Sequence, residues 1–166
     1  MIVADPALRE QIGAFYAYET MLLDENRLRE WLDLMDEEVR YVMPMRETRL
    51  GPPRASSSPT FYLYNDDKDS LMTRVARLET GLALVESPVS ATQHLVTDVW
   101  ILDRGPDYVD VRSSFLVVQA RDEQNETTFT GRRIDRLKIT PDGFRVLRRD
   151  MLLVHYVLPR TISVFF

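Results

Sequence analysis

Cysteine is absent from all 166 positions. That excludes disulfides, thiolate nucleophiles, thiolate-bound zinc and cysteine-ligated iron–sulfur clusters on this chain. A chain without disulfides fits a reducing, cytoplasmic setting. Histidine is nearly as scarce, with only His94 and His155. A basic excess is also missing. The formal charge is −5, whereas nucleic-acid binding needs a basic footprint. No run approaches the roughly 20 apolar residues that span a bilayer, so no membrane partner is expected. The start, Met1 to Pro6, has no basic flank leading into an apolar stretch, and no signal peptide is expected. Internal repeats, heptads and low-complexity tracts do not occur, so residues 1–166 are expected to form a single domain.

What is present points to helices followed by strands. Asp5-Pro6 is a helix start, a capping acid followed by proline at the first helical position. Leu8, Ile12, Phe15, Tyr16, Leu22 and Leu23 then recur at helical spacing. Asp24 is expected to cap a second helix carrying Leu28, Trp31, Leu32 and Met35. Residues 39–43 alternate like a strand stopped by Pro44. Residues 46–59, with Gly51, Pro52, Pro53 and Ser56-Ser57-Ser58-Pro59, predict a long loop. Such a loop is either an insertion or an arm that orders against a partner. Asp69 is expected to cap a third helix, with Gly81 past its end.

After Pro88 the texture becomes β-rich over residues 91–102, 108–121, 126–139 and 144–158. Short turn-forming connections between these segments imply consecutive antiparallel pairing. Strands this long must twist and bend. The expected fold class is α+β: a cone of N-terminal helices packed on a long, strongly curved antiparallel or mixed sheet.

Charge is segregated. Residues 19–38 carry eight acids against Arg27 and Arg29, and residues 131–149 carry seven bases against Asp135 and Asp142. These are either two solvated faces or two surfaces that meet partners, or each other in a ring. Arg132, Arg133, Arg136, Arg148 and Arg149 fall on two strands joined by a tight turn. They either pair with cross-strand acids such as Asp135 and Asp150, or reach carboxylates on another subunit. Ile162, Val164, Phe165 and Phe166 form an apolar tail. Burying each large side chain stabilises by about 1.5–3 kcal/mol. The tail is therefore expected under its own sheet or at a subunit interface.

Five pieces, in order, resemble a known family. They are Phe15-Tyr16 through Leu22-Leu23-Asp24 with Trp31-Leu32; Arg74-Val75-Ala76-Arg77-Leu78; Glu86-Ser87-Pro88-Val89-Ser90 followed by His94-Leu95-Val96-Thr97-Asp98-Val99; Gly131 through Leu137; and Ile162 through Phe166. The set resembles the beta subunits of aromatic-ring-hydroxylating dioxygenases. Gln93, Asp98, Leu84, Val85, Val154 and His155 depart from that family's pattern. The resemblance implies a nuclear-transport-factor-2-like (SnoaL-like) cone and an α3β3 assembly. It also implies a large alpha subunit that holds a Rieske [2Fe–2S] cluster and a mononuclear Fe(II). The beta chain would be a trimer-forming, non-catalytic structural member.

Chemistry on this chain is the rival expectation. A Rieske cluster takes two cysteines and two histidines, and the cysteines are missing. A non-heme iron takes two histidines and a carboxylate, so that count is just met. On a strand, however, His94 and Asp98 would lie roughly 13 Å apart, at about 3.3 Å per residue. No metal or cofactor site is expected here. The same cone also hosts isomerases and dehydratases that move protons in the pocket. Under that alternative, the candidates are Tyr16, His94, Asp98 and Asp110. His94, Val96, Asp98 and Trp100 are expected on one strand face.

Overall fold

A computed structural model describes residues 5–46, 57–80, 90–121, 126–155, 158 and 162–166. The side chains of residue 46 and residues 57–60 lie outside that description. Helix α1 runs Pro6–Asp24, and Asp5 caps it by accepting from the Leu8 N–H at 3.0 Å. Leu8, Ile12, Tyr16, Glu19, Leu22 and Leu23 are buried along one stripe. The helix stops because Asn26 turns left-handed, at φ 57°. The Arg27 N–H then bonds the Leu22 carbonyl and the Asn26 N–H that of Leu23, the paired closure typical of a helix end.

Helix α2 is short, Leu28–Asp33. Its N-cap is Arg27, with no side-chain cap, so Asp24 does not start it. The reversal at Asn26 leaves Asp24 free to point elsewhere. Helix α3 spans Lys68–Glu79 and is capped by Asp67, not Asp69, through the Ser70 N–H. The expected Gly81 stop lies outside the described residues.

The sheet has six strands in the order β2-β1-β6-β5-β4-β3. They are β1 (Met35–Arg46), β2 (Ser57–Asp66), β3 (Ala91–Arg104), β4 (Tyr108–Ala120), β5 (Glu126–Thr140) and β6 (Gly143–Leu153). All neighbours pair antiparallel except β1 with β6, which are parallel. The sheet is curved and unclosed, and the helices sit against it. The expected α+β cone is thus the observed one.

Three local expectations fail for identifiable reasons. Residues 57–59 are not loop but the start of β2; an edge strand tolerates the missing donor of Pro59. Pro44 does not end β1, because the pairing with β2 shifts register at that residue and absorbs it. The strand expected over 144–158 ends at Leu153.

A fourth failure changes which way side chains point. Asp98 has a φ of 52° and the β3–β4 register breaks between Thr97 and Trp100. One bulge inverts the alternation. His94 and Ile101 are buried, whereas Asp98 and Trp100 are exposed, so the four expected on one face are divided. A second bulge skips Leu147 in the β5–β6 register. It keeps Val146 and Arg149 both facing inward.

Gly131 sits opposite Phe115 and Leu153 in this sheet. A methyl there would run into the Leu152 main-chain oxygen and the Phe115 ring. Gly131→Ala is expected to cost about 1–3 kcal/mol by overpacking. A urea midpoint unchanged from the wild type would contradict it.

Candidate functional site

Inside the cone, α1 meets the inward faces of β5 and β6, and charge is concentrated there. Glu19, Arg133, Asp135 and Arg149 are all at most 1% exposed. Asp135 and Arg149 are direct cross-strand partners. Arg149 donates through Nε and Nη2 to Asp135 at 2.9 and 2.8 Å, and through Nη1 and Nη2 to Glu19 at 2.6 and 3.0 Å. A further Nη1 hydrogen reaches the Phe166 main-chain oxygen at 2.6 Å. All five guanidinium N–H groups are thereby used.

Arg133 adds a bond to Glu19 at 3.1 Å and one to the Ser113 hydroxyl at 3.3 Å. Its guanidinium lies 4.5 Å from the Tyr16 ring centroid. The Tyr16 hydroxyl donates to Asp135 at 2.9 Å, and the Trp31 indole donates to Glu19 at 3.3 Å.

Two cations face two anions, so the cluster is balanced. Burial alone would raise the Glu19 carboxyl, but the Arg149 and Arg133 charges outweigh it and hold the group at about 2. Burial opposes the Arg149 charge too, yet Asp135 and Glu19 push its pKa above the ordinary arginine value. Burial, reinforced by the Asp135 charge, raises Tyr16, which therefore stays protonated.

A pH prediction follows from the sign. The folded Glu19 value lies below the ordinary glutamate value of 4.5, so its contribution is full above pH 4.5 and fades as pH falls toward 2. Urea midpoints should decline through that window. A flat midpoint down to pH 2 would contradict the ion cluster.

The tail completes the interior. Val164, Phe165 and Phe166 are 7%, 4% and 1% exposed. Side chains from four strands hold their main-chain oxygens. Tyr64 donates to Val164 at 2.6 Å, the His94 Nε2 edge meets Phe165 at 2.8 Å, and Tyr41 and Arg149 donate to Phe166 at 2.9 and 2.6 Å. The Phe165 ring stacks on Trp31 at 4.4 Å between centroids. The Phe166 ring packs against Phe115, Phe129 and Tyr64.

Asp24, released from helix capping, organises the rim. Its carboxylate accepts from Thr92, Gln93 and the His94 N–H, and meets His94 Nδ1 at 2.5 Å. Beside it lies a cavity of about 60 Å³ lined by Leu23, Asp24, Ser90, Thr92 and His94.

A family model described as the ring hydroxylating beta subunit matches residues 18–160. The chain belongs to that family.

Solved structures agree on the fold. The beta subunit is 22% identical to a chain of naphthalene 1,2-dioxygenase with indole bound in the active site. That match covers 99% of this chain and 88% of that one, with a TM-score of 0.87. The beta subunit of benzoate 1,2-dioxygenase from Burkholderia mallei is also 22% identical, covering 92% and 93%, with a TM-score of 0.69. An NTF2-like protein with a cystatin-like fold from Novosphingobium aromaticivorans is 15% identical, covering 95% and 89%, with a TM-score of 0.60.

In this beta subunit the four residues weighed for proton transfer do not converge. Tyr16 is spent on Asp135 in the interior, and His94 is clamped at the rim between Asp24 and Phe165. Asp98 is exposed at the β3 bulge. Asp110 stands on the other side of the sheet, bidentate with Arg136 at 2.8 and 2.7 Å. His155 packs its ring against Phe129. No group of three or more metal-ligating side chains occurs among the described residues.

The interface candidates divide as well. Arg133 and Arg149 face inward and are committed within the chain, as are Val164, Phe165 and Phe166. Ile162 is partly buried against the same core. Arg132, Arg136 and Arg148 face out. The anticipated cross-strand pairing is made by Arg149 with Asp135, whereas Arg148 pairs with Asp150 two residues along its own strand. Glu19, Tyr41 and Tyr64 carry much of the geometry and were not singled out from sequence, and Asp24 was read there as a helix cap. An acid in the buried stripe of α1 was the available signal for Glu19.

Proposed function

We propose that this beta subunit is a non-catalytic structural member of a multicomponent Rieske non-heme iron ring-hydroxylating dioxygenase, in an α3β3 assembly that degrades aromatic compounds in the cytoplasm. One observation carries the reading beyond family membership. The space where an NTF2-like enzyme would hold substrate is filled by the chain's own ion cluster and by Phe165 and Phe166. The subunit would act by holding large subunits so that one Rieske cluster lies near a neighbour's iron.

The donor set supports the same division of labour. A Rieske cluster takes two cysteines and two histidines, and this chain has no cysteine. Both metal centres would then sit on the alpha subunit. The alternative, acid–base chemistry in the cone, requires convergent titratable groups around an open pocket.

Co-expression with a large chain bearing Cys-x-His and Cys-x2-His motifs tests the proposal. The two should co-purify, and ring hydroxylation should need both. Failure to co-purify, or substrate turnover by this chain alone, would overturn it.

A further inference from the structure

Aromatic rings converge inside the cone from elements far apart in the chain. Trp31 comes from α2, Tyr41 from β1, Tyr64 from β2, Phe115 from β4 and Phe129 from β5, and none is more than 4% exposed. Together they frame two ring-sized places. In one, Phe165 lies stacked on Trp31, with the Tyr41 ring edge-on at 6.4 Å. In the other, Phe115, Phe129 and Tyr64 surround the Phe166 ring at 5.3, 5.8 and 6.4 Å between centroids, inclined by 50°, 90° and 76°. Inclined contacts of this kind set the positive edge of one π system against the negative face of another. A saturated ring of similar size offers neither.

The Phe166 backbone is held independently of its ring. Its N–H donates to the Tyr41 hydroxyl at 2.7 Å, and its oxygen accepts from Tyr41 and Arg149 at 2.9 and 2.6 Å. Tyr64 and His94 hold the Val164 and Phe165 oxygens in the same way. Removing the ring breaks none of these bonds. The tail keeps its place and only the ring's volume falls vacant. An apolar cavity of this kind stays dry and takes a small apolar guest.

The surrounding donors narrow the guest's chemistry. Tyr41, Tyr64 and Arg149 are spent on the tail's own oxygens and on the ion cluster. A charged guest would lose its water and find these donors taken, which is costly. The ring-lined walls and the committed donors together select a neutral, single-ring arene.

We infer that the interior of this beta subunit is a binding site for a neutral single-ring arene, and that the Phe166 side chain is its built-in occupant, shutting other arenes out. The assignment rests on ring geometry and not on the structural-subunit reading. A chain that ignored arenes could still co-purify with the large chain.

Calorimetry and thermal unfolding of the full chain with benzene test it. The wild type should bind no benzene and keep its melting temperature, because the site is full. Phe166→Ala should bind a single benzene. Its melting temperature should rise by roughly 3–6 °C once the ligand stands about tenfold above its Kd. Cyclopentane and cyclohexane bracket benzene in volume and should bind about tenfold more weakly, since they forfeit the ring–ring contacts. Benzoate should not bind. A wild type that binds benzene as well as the variant does overturns the inference. So does a variant indifferent to benzene, or one that takes the saturated rings or benzoate equally well. If Phe166→Ala is unfolded by itself, benzene should restore its circular dichroism spectrum. A chain that stays unfolded in benzene, or that cyclohexane rescues equally, overturns the inference too.

Discussion

Arg149→Met is expected to destabilise the fold by about 3–5 kcal/mol, the penalty for leaving buried charge uncompensated. The guanidinium is the hub of the interior, bonded to Glu19, Asp135 and the Phe166 oxygen at once. Without it, two carboxylates share Arg133 alone, and the tail loses a donor. Methionine fills similar space, so the loss reports charge more than volume. Neutralising one orphaned acid should recover part of the loss; Arg149→Met/Asp135→Asn is therefore expected to be more stable than Arg149→Met. Urea unfolding at pH 7 measures both. A loss under about 1 kcal/mol would mean that the cluster is hydrated in solution.

Phe166→Ala is the second large expectation, at about 3–5 kcal/mol. The ring is enclosed by Phe115, Phe129 and Tyr64, so truncation leaves a cavity against the inner face of the sheet. For a chain of this size the melting temperature should fall by roughly 10 °C, at about 2–4 °C per kcal/mol. Ile162→Ala, at a partly buried position, should cost much less. Equal small effects at both positions would show that the tail is not docked.

The meander was legible because its turns are short and its apolar residues alternate. The inward role of Arg133 and Arg149 was legible in principle and obscured by proximity. Grouping five arginines by closeness in sequence ignores period two, which sends Arg133 and Asp135 in while Arg132, Ile134 and Arg136 go out. Other features were beyond pattern reading. The skipped Leu147 rephases β6, and the left-handed Asp98 rephases β3. Neither leaves a compositional mark, since neither residue is a glycine. Asp24 looked like a helix cap because capping acids are common; the closure at Asn26 gave it a tertiary task. Strand β2 was hidden by serines and Pro59, residues that usually mark turns.

The link between Glu19 and Arg149 spans 130 positions. During synthesis, α1 leaves the ribosome with an acid on its apolar stripe and must wait for β5 and β6 before its two counter-ions, Arg133 and Arg149, have both emerged. Core closure is therefore expected only after translation of β6, and non-local closure of this kind is slow. Prematurely terminated chains lacking both Arg133 and Arg149 would hold an unneutralised Glu19. They would be open substrates for proteases instead of stable competitors for partners.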